Sequence, residues 1–187
     1  MSKFKVLVLG DYGVGKTSLF EQIAKSIPGA EKKPSISLDI IEFKRIIAGN
    51  EVTINLYDIP GRELSTDKRS KHYLHTNGAL IVFDITSPHS FRHTPFWIEE
   101  LINYSGYGNI PVVIVGNKSD MREVSQRTLN PIDAKEYVFR LNRTANREDI
   151  ENHYFEVSAK SSKGISQMID RLAESMIKHR KYLESKK

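Results

Sequence analysis

The 187-residue sequence predicts a single doubly wound α/β domain with a mostly parallel six-stranded sheet, one antiparallel strand and helices on both faces. Three observations support this fold. Apolar segments of strand length alternate with segments of helical periodicity along the chain. Four strand-like segments, the first and the last three, are almost continuously apolar, as central parallel strands must be. The turn at residues 48–50 (Ala-Gly-Asn) separates two further strand-like segments and indicates one hairpin.

Six segments have the apolar, β-branched and aromatic content of strands, and they cover residues 4–10, 38–47, 51–58, 79–83, 111–115 and 153–157. Four segments carry apolar residues at helical spacing, and they cover residues 16–26, 88–105, 131–141 and 165–183. Pro28 and Gly29 follow the first of these helices, and Gly106 and Gly108 follow the second. Such residues are typical of helix ends, so we expect both helices to stop there.

Three polar segments connect these elements. Residues 28–37 form a proline-containing loop, and residues 62–75 form either a weak helix or a mobile loop. Residues 142–152 are a polar insertion without a chemistry that we can name, so they form either a partner-binding loop or a tolerated insertion. Ligands of open α/β sheets bind at the carboxyl ends of the strands, so polar motifs that follow strands define the candidate site.

The sequence contains no cysteine, which excludes disulfide bonds, thiolate catalysis and cysteine-rich zinc sites. Without a cysteine to carry a prenyl or palmitoyl chain, and with Ser2 in place of glycine, we expect no lipid anchor. No apolar segment reaches membrane-spanning length, and the N-terminus leads into the first strand without a signal peptide. We therefore expect a cytoplasmic monomer that becomes peripheral at a membrane only through partners.

The net charge of +5 is scattered except at the C-terminus. Residues 179–187 form a basic tail, which we expect to continue the last helix of a domain that covers residues 1–178. Such a tail is more typical of a helix end whose cations suit the helix dipole than of a lipid or nucleic-acid site. We expect at most weak membrane contact and no nucleic-acid partner.

The sequence G-x-x-x-x-G-K-T at residues 10–17 lies between the first strand and the first helix, which is the place of a phosphate-binding P-loop. Its glycines let backbone N–H groups point at phosphate oxygens, and the next helix adds its positive dipole end. Lys16 is expected to reach the outer phosphates, and Thr17 to bind Mg²⁺. The other nucleotide-binding candidates of this loop are Asp11, Tyr12, Gly13, Val14, Gly15 and Ser18. The loop alone does not identify the nucleotide.

Polar residues after the last two strands indicate the base, and these residues are Asn117, Lys118, Asp120, Ser158, Ala159 and Lys160. The Asp120 carboxylate offers two acceptors to the N1–H and N2–H₂ donors of guanine, a donor pair that adenine lacks. Asn117 bonds guanine N7 or braces the P-loop, and the stem of Lys118 can lie on the base. A backbone N–H near Ala159 can bond guanine O6.

With these motifs the chain resembles the small GTPases of the Ras superfamily, most closely the Rab branch, over about residues 4–178. The sequence Y-D-I-P-G-R-E at residues 57–63 resembles the W-D-T-A-G-Q-E of that family, and I-V-F-D-I-T at residues 81–86 resembles its V-V-Y-D-V-T. Ser90 followed by phenylalanine parallels its usual S-F, and A-K-E at residues 134–136 is also common there. The resemblance implies the P-loop fold of a small G protein.

The resemblance also implies a guanine-nucleotide switch that binds GTP and GDP with Mg²⁺ and hydrolyses GTP. Two loops of such a switch change shape with the γ-phosphate, here about residues 28–38 and 59–75, and through them it engages effector and regulator proteins.

Five roles follow from the family pattern. Lys16 stabilises the β- and γ-phosphates, and Gly61 donates its N–H to the γ-phosphate. Thr17 and Ser35 bind Mg²⁺ directly, whereas Asp58 binds it through water. Ser35 stands where the family has threonine, and it lacks the methyl that limits side-chain rotamers. We therefore expect a looser first switch in the GTP-bound form.

Three departures from the family pattern affect hydrolysis and release. Arg62 occupies the position of the water-orienting glutamine, and arginine has five donors and no acceptor. Tyr12 replaces a small residue near the γ-phosphate, where a phenol either crowds the attacking water or swings out to cover the nucleotide. Residues 27–29 lack the aromatic residue that commonly stacks on guanine, and Phe20 is expected to face the core instead. We predict slow hydrolysis and fast nucleotide release.

Two other functions stay open at this point. A nucleotide-locked pseudo-GTPase scaffold would bind GTP or GDP without meaningful hydrolysis. A P-loop kinase of a small substrate would need a substrate pocket and a lid, and the Asn117-Lys118-Ser119-Asp120 motif argues against it. An alternative role for Arg62, as a built-in arginine finger, is disfavoured by its location.

The six histidines include two closely spaced pairs, His72 with His75 and His89 with His93. Each pair has a spacing that can bind a stray metal ion. We interpret all four as surface residues rather than as a metal site.

Overall fold

The computed structural model describes residues 2–35, 37–60 and 65–186. Within these ranges, seven strands form one sheet with the order β2-β3-β4-β1-β5-β6-β7. The strands are β1 (Ser2–Leu9), β2 (Glu31–Lys33), β3 (Asp39–Ile47), β4 (Asn50–Asp58), β5 (Gly78–Asp84), β6 (Val112–Asn117) and β7 (His153–Glu156). Strand β3 runs antiparallel to both β2 and β4, and all other neighbours are parallel. The predicted mostly parallel α/β sheet is confirmed.

The helices of the described residues are α1 (Lys16–Ser26), α2 (Thr66–Ser70), α3 (Pro88–Arg92), α4 (Thr94–Tyr104), α5 (Pro131–Ala145) and α6 (Ile165–Ser185), with a 3₁₀ turn at Ser119–Arg122. Among the described residues, none of these helices combines the length and the apolar character that crossing a bilayer requires.

Helices cover both faces of the sheet because alternate residues of a strand point to opposite sides. Val6 and Val8 of β1 pack in one core cluster with α1 and α6. Leu7 and Leu9 pack in a second cluster with α4 and α5. Phe20 of α1 is fully buried in the first cluster, which confirms that it faces the core.

The predicted number of six strands is wrong because the loop at residues 28–37 contains the short strand β2. Glu31 pairs with Glu42 of β3 in the antiparallel register, and the ammonium of Lys33 lies 3.3 Å from the Glu42 carboxylate. This strand lies at the edge of the sheet and carries only charged side chains. Charged residues are common on edge strands, so its sequence lacks the apolar alternation that identifies other strands.

The predicted helix at residues 88–105 is two helices, α3 and α4, which meet at His93. Pro95 causes the break because proline lacks an N–H and its ring clashes with the carbonyl four residues earlier. The hydroxyl of Thr94 donates to the nearby carbonyl of Phe91 at 2.8 Å. The predicted insertion at residues 142–152 also begins within a helix, because α5 continues to Ala145 before Asn146 adopts a left-handed conformation.

Candidate nucleotide-binding site

The P-loop follows β1 at the carboxyl edge of the sheet, and two of its glycines leave no room for a side chain. A Cβ on Gly10 would lie 2.2 Å from the Val82 carbonyl oxygen, and a Cβ on Gly15 would lie 2.4 Å from Asn117 Nδ2. Both glycines also have positive φ angles, of 144° and 91°. Only glycine meets both requirements, so the loop packs tightly on β5 and against the end of β6.

The phosphate end of the site contains a buried lysine enclosed by its own loop. Lys16 Nζ donates to the Asp11 carbonyl at 2.9 Å, and Thr17 Oγ1 donates to Asp58 Oδ2 at 2.7 Å. The second carboxylate oxygen of Asp58, Oδ1, is buried and has no hydrogen-bond partner among the described residues. Burial raises the pKa of the Asp58 carboxyl above its ordinary value, although the hydrogen bond from Thr17 and the charge of Lys16 oppose this shift.

A cavity of about 730 Å³ opens at this end, a volume that is typical of ligand sites. Its described lining includes the P-loop, Ser35, residues 37–39 and residues 58–60. A carboxylate oxygen that needs a partner, a hydroxyl and a buried ammonium are the groups that hold Mg²⁺ and phosphate. The residues present therefore fit a Mg²⁺-bound phosphate group.

Two predicted site residues line this cavity from loops: Tyr12, which the sequence assigns to the nucleotide, and Ser35, which it assigns to Mg²⁺. Tyr12 is 80% exposed, so its phenol extends into solvent. Ser35 is exposed, and its hydroxyl accepts a long 3.5 Å contact from the Leu38 N–H. Gly61 and Arg62, the predicted γ-phosphate and water-orienting residues, lie outside the described residues.

The base end contains side chains that are already held in place. Asn117 Nδ2 donates to the carbonyls of Val14 at 3.0 Å and Gly15 at 3.4 Å, and its Oδ1 accepts from the Ala159 N–H at 3.3 Å. Of the two predicted contacts of Asn117, the structure contains the brace to the P-loop. Asn117 thereby connects the phosphate loop to the segment after β7.

Asp120 and Lys118 are supported by neighbouring strand ends. The Ser158 hydroxyl donates to Asp120 Oδ1 at 2.7 Å and lowers the pKa of the Asp120 carboxyl, and Lys160 Nζ lies 3.3 Å from Asp120 Oδ2. Lys118 Nζ donates to the Gly13 carbonyl at 3.0 Å. A second cavity of about 150 Å³ lies between these residues and the P-loop, and among its described lining residues, none is aromatic.

Asp84, at the end of β5, supports the base end although the sequence analysis gave it no role. Lys118 Nζ donates to Asp84 Oδ2 at 2.6 Å, and the N–H and hydroxyl of Thr86 donate to Asp84 Oδ1 at 2.8 and 2.7 Å. Burial by itself would raise the pKa of the Asp84 carboxyl, but the bonds from Lys118 and Thr86 lower it. The I-V-F-D-I-T motif that contains Asp84 is the signal that could have identified it.

The side chains of Asp11 and Val14 do not line either cavity, although both residues were predicted to bind the nucleotide. Val14 is 1% exposed and packs in the core. The Asp11 carboxylate accepts from Trp97 Nε1 at 3.0 Å and lies 2.7 Å from His93 Nδ1. Both residues therefore offer only their backbones to a phosphate.

Comparison with known proteins shows which family the chain belongs to. A family model described as the Ras family matches residues 5–178. The chain belongs to the Ras family. This Ras-family chain is 28% identical to the Ras-related protein RabC of Dictyostelium discoideum, over 92% of the chain and 83% of that protein. It is 31% identical to the Ras-related protein Rab-21 of Geodia cydonium, over 94% of the chain and 71% of that protein.

A plant relative is more similar over a shorter region. The chain is 34% identical to the Ras-related protein Rab11A of Lotus japonicus over 72% of its length, but this match spans only 58% of the plant protein. These matches confirm the predicted small GTPase of the Ras superfamily and its Rab branch. As a Ras-family protein, the chain is a GTP-binding switch with GTPase activity in the general sense of that family.

The Ras-family chain anchors α2 on α4 through a buried ion pair. Arg69 of α2 donates to the Glu100 carboxylate at 2.9 and 2.5 Å, and both side chains are almost completely buried. The hydroxyls of Thr66 and Tyr73 donate to the same carboxylate at 2.7 and 2.9 Å. Burial would raise the pKa of the Glu100 carboxyl, but these hydrogen bonds lower it. Residues 65–73 are thus held on the domain rather than free in solvent.

Proposed function

We propose that this chain binds GTP and GDP with Mg²⁺ across the two cavities, which share Gly15 and Ser18 in their linings, and that it hydrolyses GTP slowly. The observation that carries the proposal is the position of Asn117. Its side chain bonds the P-loop on one side and the Ala159 N–H on the other, so it joins the phosphate end to the base end. At these two ends stand Lys16, suited to phosphates, and Asp120, suited to the donor edge of guanine.

The metal site proposed here uses groups that the structure brings to the phosphate cavity. Thr17 and Ser35 supply hydroxyl ligands, and Asp58 accepts a hydrogen bond from a metal-bound water. When bound, Mg²⁺ neutralises charge on the phosphate oxygens. The Oδ1 atom of Asp58 supports this assignment because it is buried and has no partner among the described residues. Burying such an oxygen costs free energy unless a ligand, such as a metal-bound water, donates to it.

Slow hydrolysis is proposed from the residue types at two positions. Arg62 has no acceptor with which to orient an attacking water, and Tyr12 places a phenol at the edge of the phosphate cavity. The active form then persists after GTP binding. We propose that it engages effector and regulator proteins through residues 28–38 and 59–75. By likeness to the Rab-named relatives, we assign it to vesicle trafficking.

The experiment is single-turnover hydrolysis of GTP bound to the purified protein, comparing the natural chain with Arg62→Gln. We expect the glutamine variant to hydrolyse GTP about tenfold faster or more, because a glutamine carbonyl can accept a hydrogen bond from the water. Lys68→Gln is the matched control, because it makes the same charge change at an exposed position of α2.

Equal rates for the natural chain and Arg62→Gln contradict the proposed cause of slow hydrolysis. Rates that stay at the solution background in both proteins favour the nucleotide-locked scaffold instead. Competition between GTP and ATP in the same preparation tests base selection separately, and equal competition contradicts guanine binding.

A further inference from the structure

A cluster of three potential metal ligands lies behind the P-loop. Asp11 comes from the loop, His89 from α3, and His93 from the junction of α3 and α4. One ligand atom from each side chain lies within 4.8 Å of the other two. Asp11 Oδ2 is 2.7 Å from His93 Nδ1, and the two imidazole centroids are 4.0 Å apart. The histidine pair is visible in the sequence, but the carboxylate is about eighty residues away and only the fold brings it to the pair.

These three donors have the chemistry of a zinc-class site. Two imidazoles and one carboxylate suit Zn²⁺ and its first-row neighbours, whereas Mg²⁺ prefers oxygen ligands and octahedral geometry. Two ligands bonded at about 2.0–2.1 Å in tetrahedral geometry are roughly 3.3 Å apart. For all three residues to bind one ion, the contact between Asp11 and His93 must open by about half an ångström, and His89 must move by at most about 1.5 Å.

The carboxylate of this cluster is already oriented by an outer hydrogen bond. Trp97 Nε1 donates to Asp11 Oδ1 at 3.0 Å, and the indole is 1% exposed. This contact leaves Oδ2 directed at His93. Carboxylates that bind metal ions are commonly held by a hydrogen bond to their other oxygen.

The histidines are also placed by local structure. His89 and His93 are four residues apart, so they lie on the same side of one helical turn. Pro88 begins α3, and the Ser87 side chain accepts from the Ser90 N–H, so the start of this turn is fixed. His89 is exposed and His93 is half-buried, which gives an ion access from solvent.

We propose that Asp11, His89 and His93 bind a divalent ion of the zinc class, with water in the fourth position. The site is separate from the proposed Mg²⁺ site, because Asp11 does not line the phosphate cavity. The ion fastens the P-loop to α3. Since the Asp11 carbonyl also accepts from Lys16, the ion fixes the residue that holds the phosphate-binding lysine.

The test is a titration of the full chain with Co²⁺ as a spectroscopic probe, in the presence of GDP and millimolar Mg²⁺. We expect one equivalent of Co²⁺ to give the visible absorption of an imidazole-ligated ion of low coordination number, and Zn²⁺ to displace it. The His89→Ala/His93→Ala variant should bind Co²⁺ more than about a hundredfold more weakly. Losing two ligands costs more affinity than losing one residue that hydrogen-bonds a ligand, which itself costs about 10–100-fold. Trp97→Phe should weaken binding by about tenfold.

The matched control is His72→Ala/His75→Asn, which removes the other histidine pair. Asparagine is used at position 75 because it tolerates the positive φ angle of that residue. This control should bind Co²⁺ like the natural chain. Thermal unfolding reports whether each variant is folded, and His89→Gln alone replaces the double variant if that variant is not. A missing Co²⁺ band, or equal binding by the natural chain and the His89 variants, overturns the proposal whether or not GTP is hydrolysed.

Discussion

The two ends of the proposed nucleotide site differ in how their side chains are held. At the base end, Asn117, Lys118 and Asp120 each bond to another strand end or to the P-loop. At the phosphate end, Ser35 is exposed with a long 3.5 Å contact, and Tyr12 is 80% exposed. The residues proposed to recognise the base are therefore held at the packed edge of the sheet, whereas those proposed near the γ-phosphate lie on loops.

Because of this difference, we expect substitutions at the base end to change which nucleotide binds and substitutions at the phosphate end to change how quickly the switch responds. A preformed base end would select guanine with little reorganisation, because its side chains are already ordered when the protein folds. A loop-borne phosphate end can change shape with the nucleotide, which is what a switch requires. The contrast between the two ends can be tested by substitutions at each of them.

The largest effect is expected for Asp120→Asn at the base end. The amide places an N–H₂ group against a guanine donor, so charge-assisted hydrogen bonds of about 1.5–3 kcal/mol each are lost. The affinity for GDP should fall by roughly a thousandfold, measured by displacement of a fluorescent GDP analogue. Ser158→Ala, which removes only the support of Asp120, should reduce the affinity by about tenfold. An affinity of Asp120→Asn close to that of the natural chain would show that the base is selected elsewhere.

Gly15→Ala tests the brace between the two ends, and we expect about a hundredfold loss of GDP affinity. The new Cβ collides with Asn117 Nδ2 and so displaces the brace. Gly13→Ala is the matched control, because Gly13 also has a positive φ but a Cβ on it would meet no atom within 4 Å. The difference between the two alanine variants isolates the collision from the backbone strain of about 1–2 kcal/mol. Equal losses of GDP affinity in the two variants would show that the contact with Asn117 does not explain the effect of Gly15→Ala.

Asp84→Asn tests whether the base end is held before nucleotide binds, and it should lower the free energy of unfolding by about 2 kcal/mol at neutral pH. The pKa of the Asp84 carboxyl is lowered in the folded protein by Lys118 and Thr86 against the effect of burial. Its stabilisation is therefore complete above the unfolded pKa of about 3.9, and it is lost as the pH falls through the lower folded pKa. Urea unfolding between neutral pH and pH 3 should show a shallower acid loss in the variant; parallel curves contradict this role.

The smallest effect is expected for Ser35→Thr at the phosphate end. Threonine adds the methyl that limits rotamers, so the hydroxyl loses less freedom when it binds Mg²⁺. The GTP-bound form should bind Mg²⁺ a few-fold more tightly, by about 0.5–1 kcal/mol, and the GDP-bound form should be unchanged. Mg²⁺ titrations of both nucleotide forms measure this difference. Equal tightening of both forms would show that Ser35 does not respond to the γ-phosphate.

The sequence predicts those parts of the fold and site that depend on short motifs at strand ends. The P-loop and the segment around Asn117 are recognisable because strand, turn and ligand chemistry stand next to each other in the chain. The β2 strand escapes prediction because its pairing with β3, rather than its charged residues, makes it a strand. The helix break at Pro95 has a local signal, but helical periodicity continues on both sides of it and hides the break.

Contacts between distant residues could not be predicted where no recognised motif contains both partners. Arg69 and Glu100 are thirty-one residues apart, and their buried ion pair has no local pattern that distinguishes them from surface charges. Asp11 illustrates the same limit within a recognised motif. Its position in the P-loop suggests the nucleotide, but tertiary packing directs its carboxylate to Trp97 and His93.

The hydrogen bond from Asn117 to the Val14 carbonyl joins residues that are 103 positions apart in the chain. During synthesis the P-loop therefore leaves the ribosome before its brace, and Asp120 follows Lys16 after roughly 5–21 s at about 5–20 residues per second. A nascent chain in that interval has a phosphate loop without the residues that select guanine. The proposed base selection thus needs residues that follow the P-loop by about a hundred positions, and a chain truncated before Asn117 would keep the P-loop motif without them.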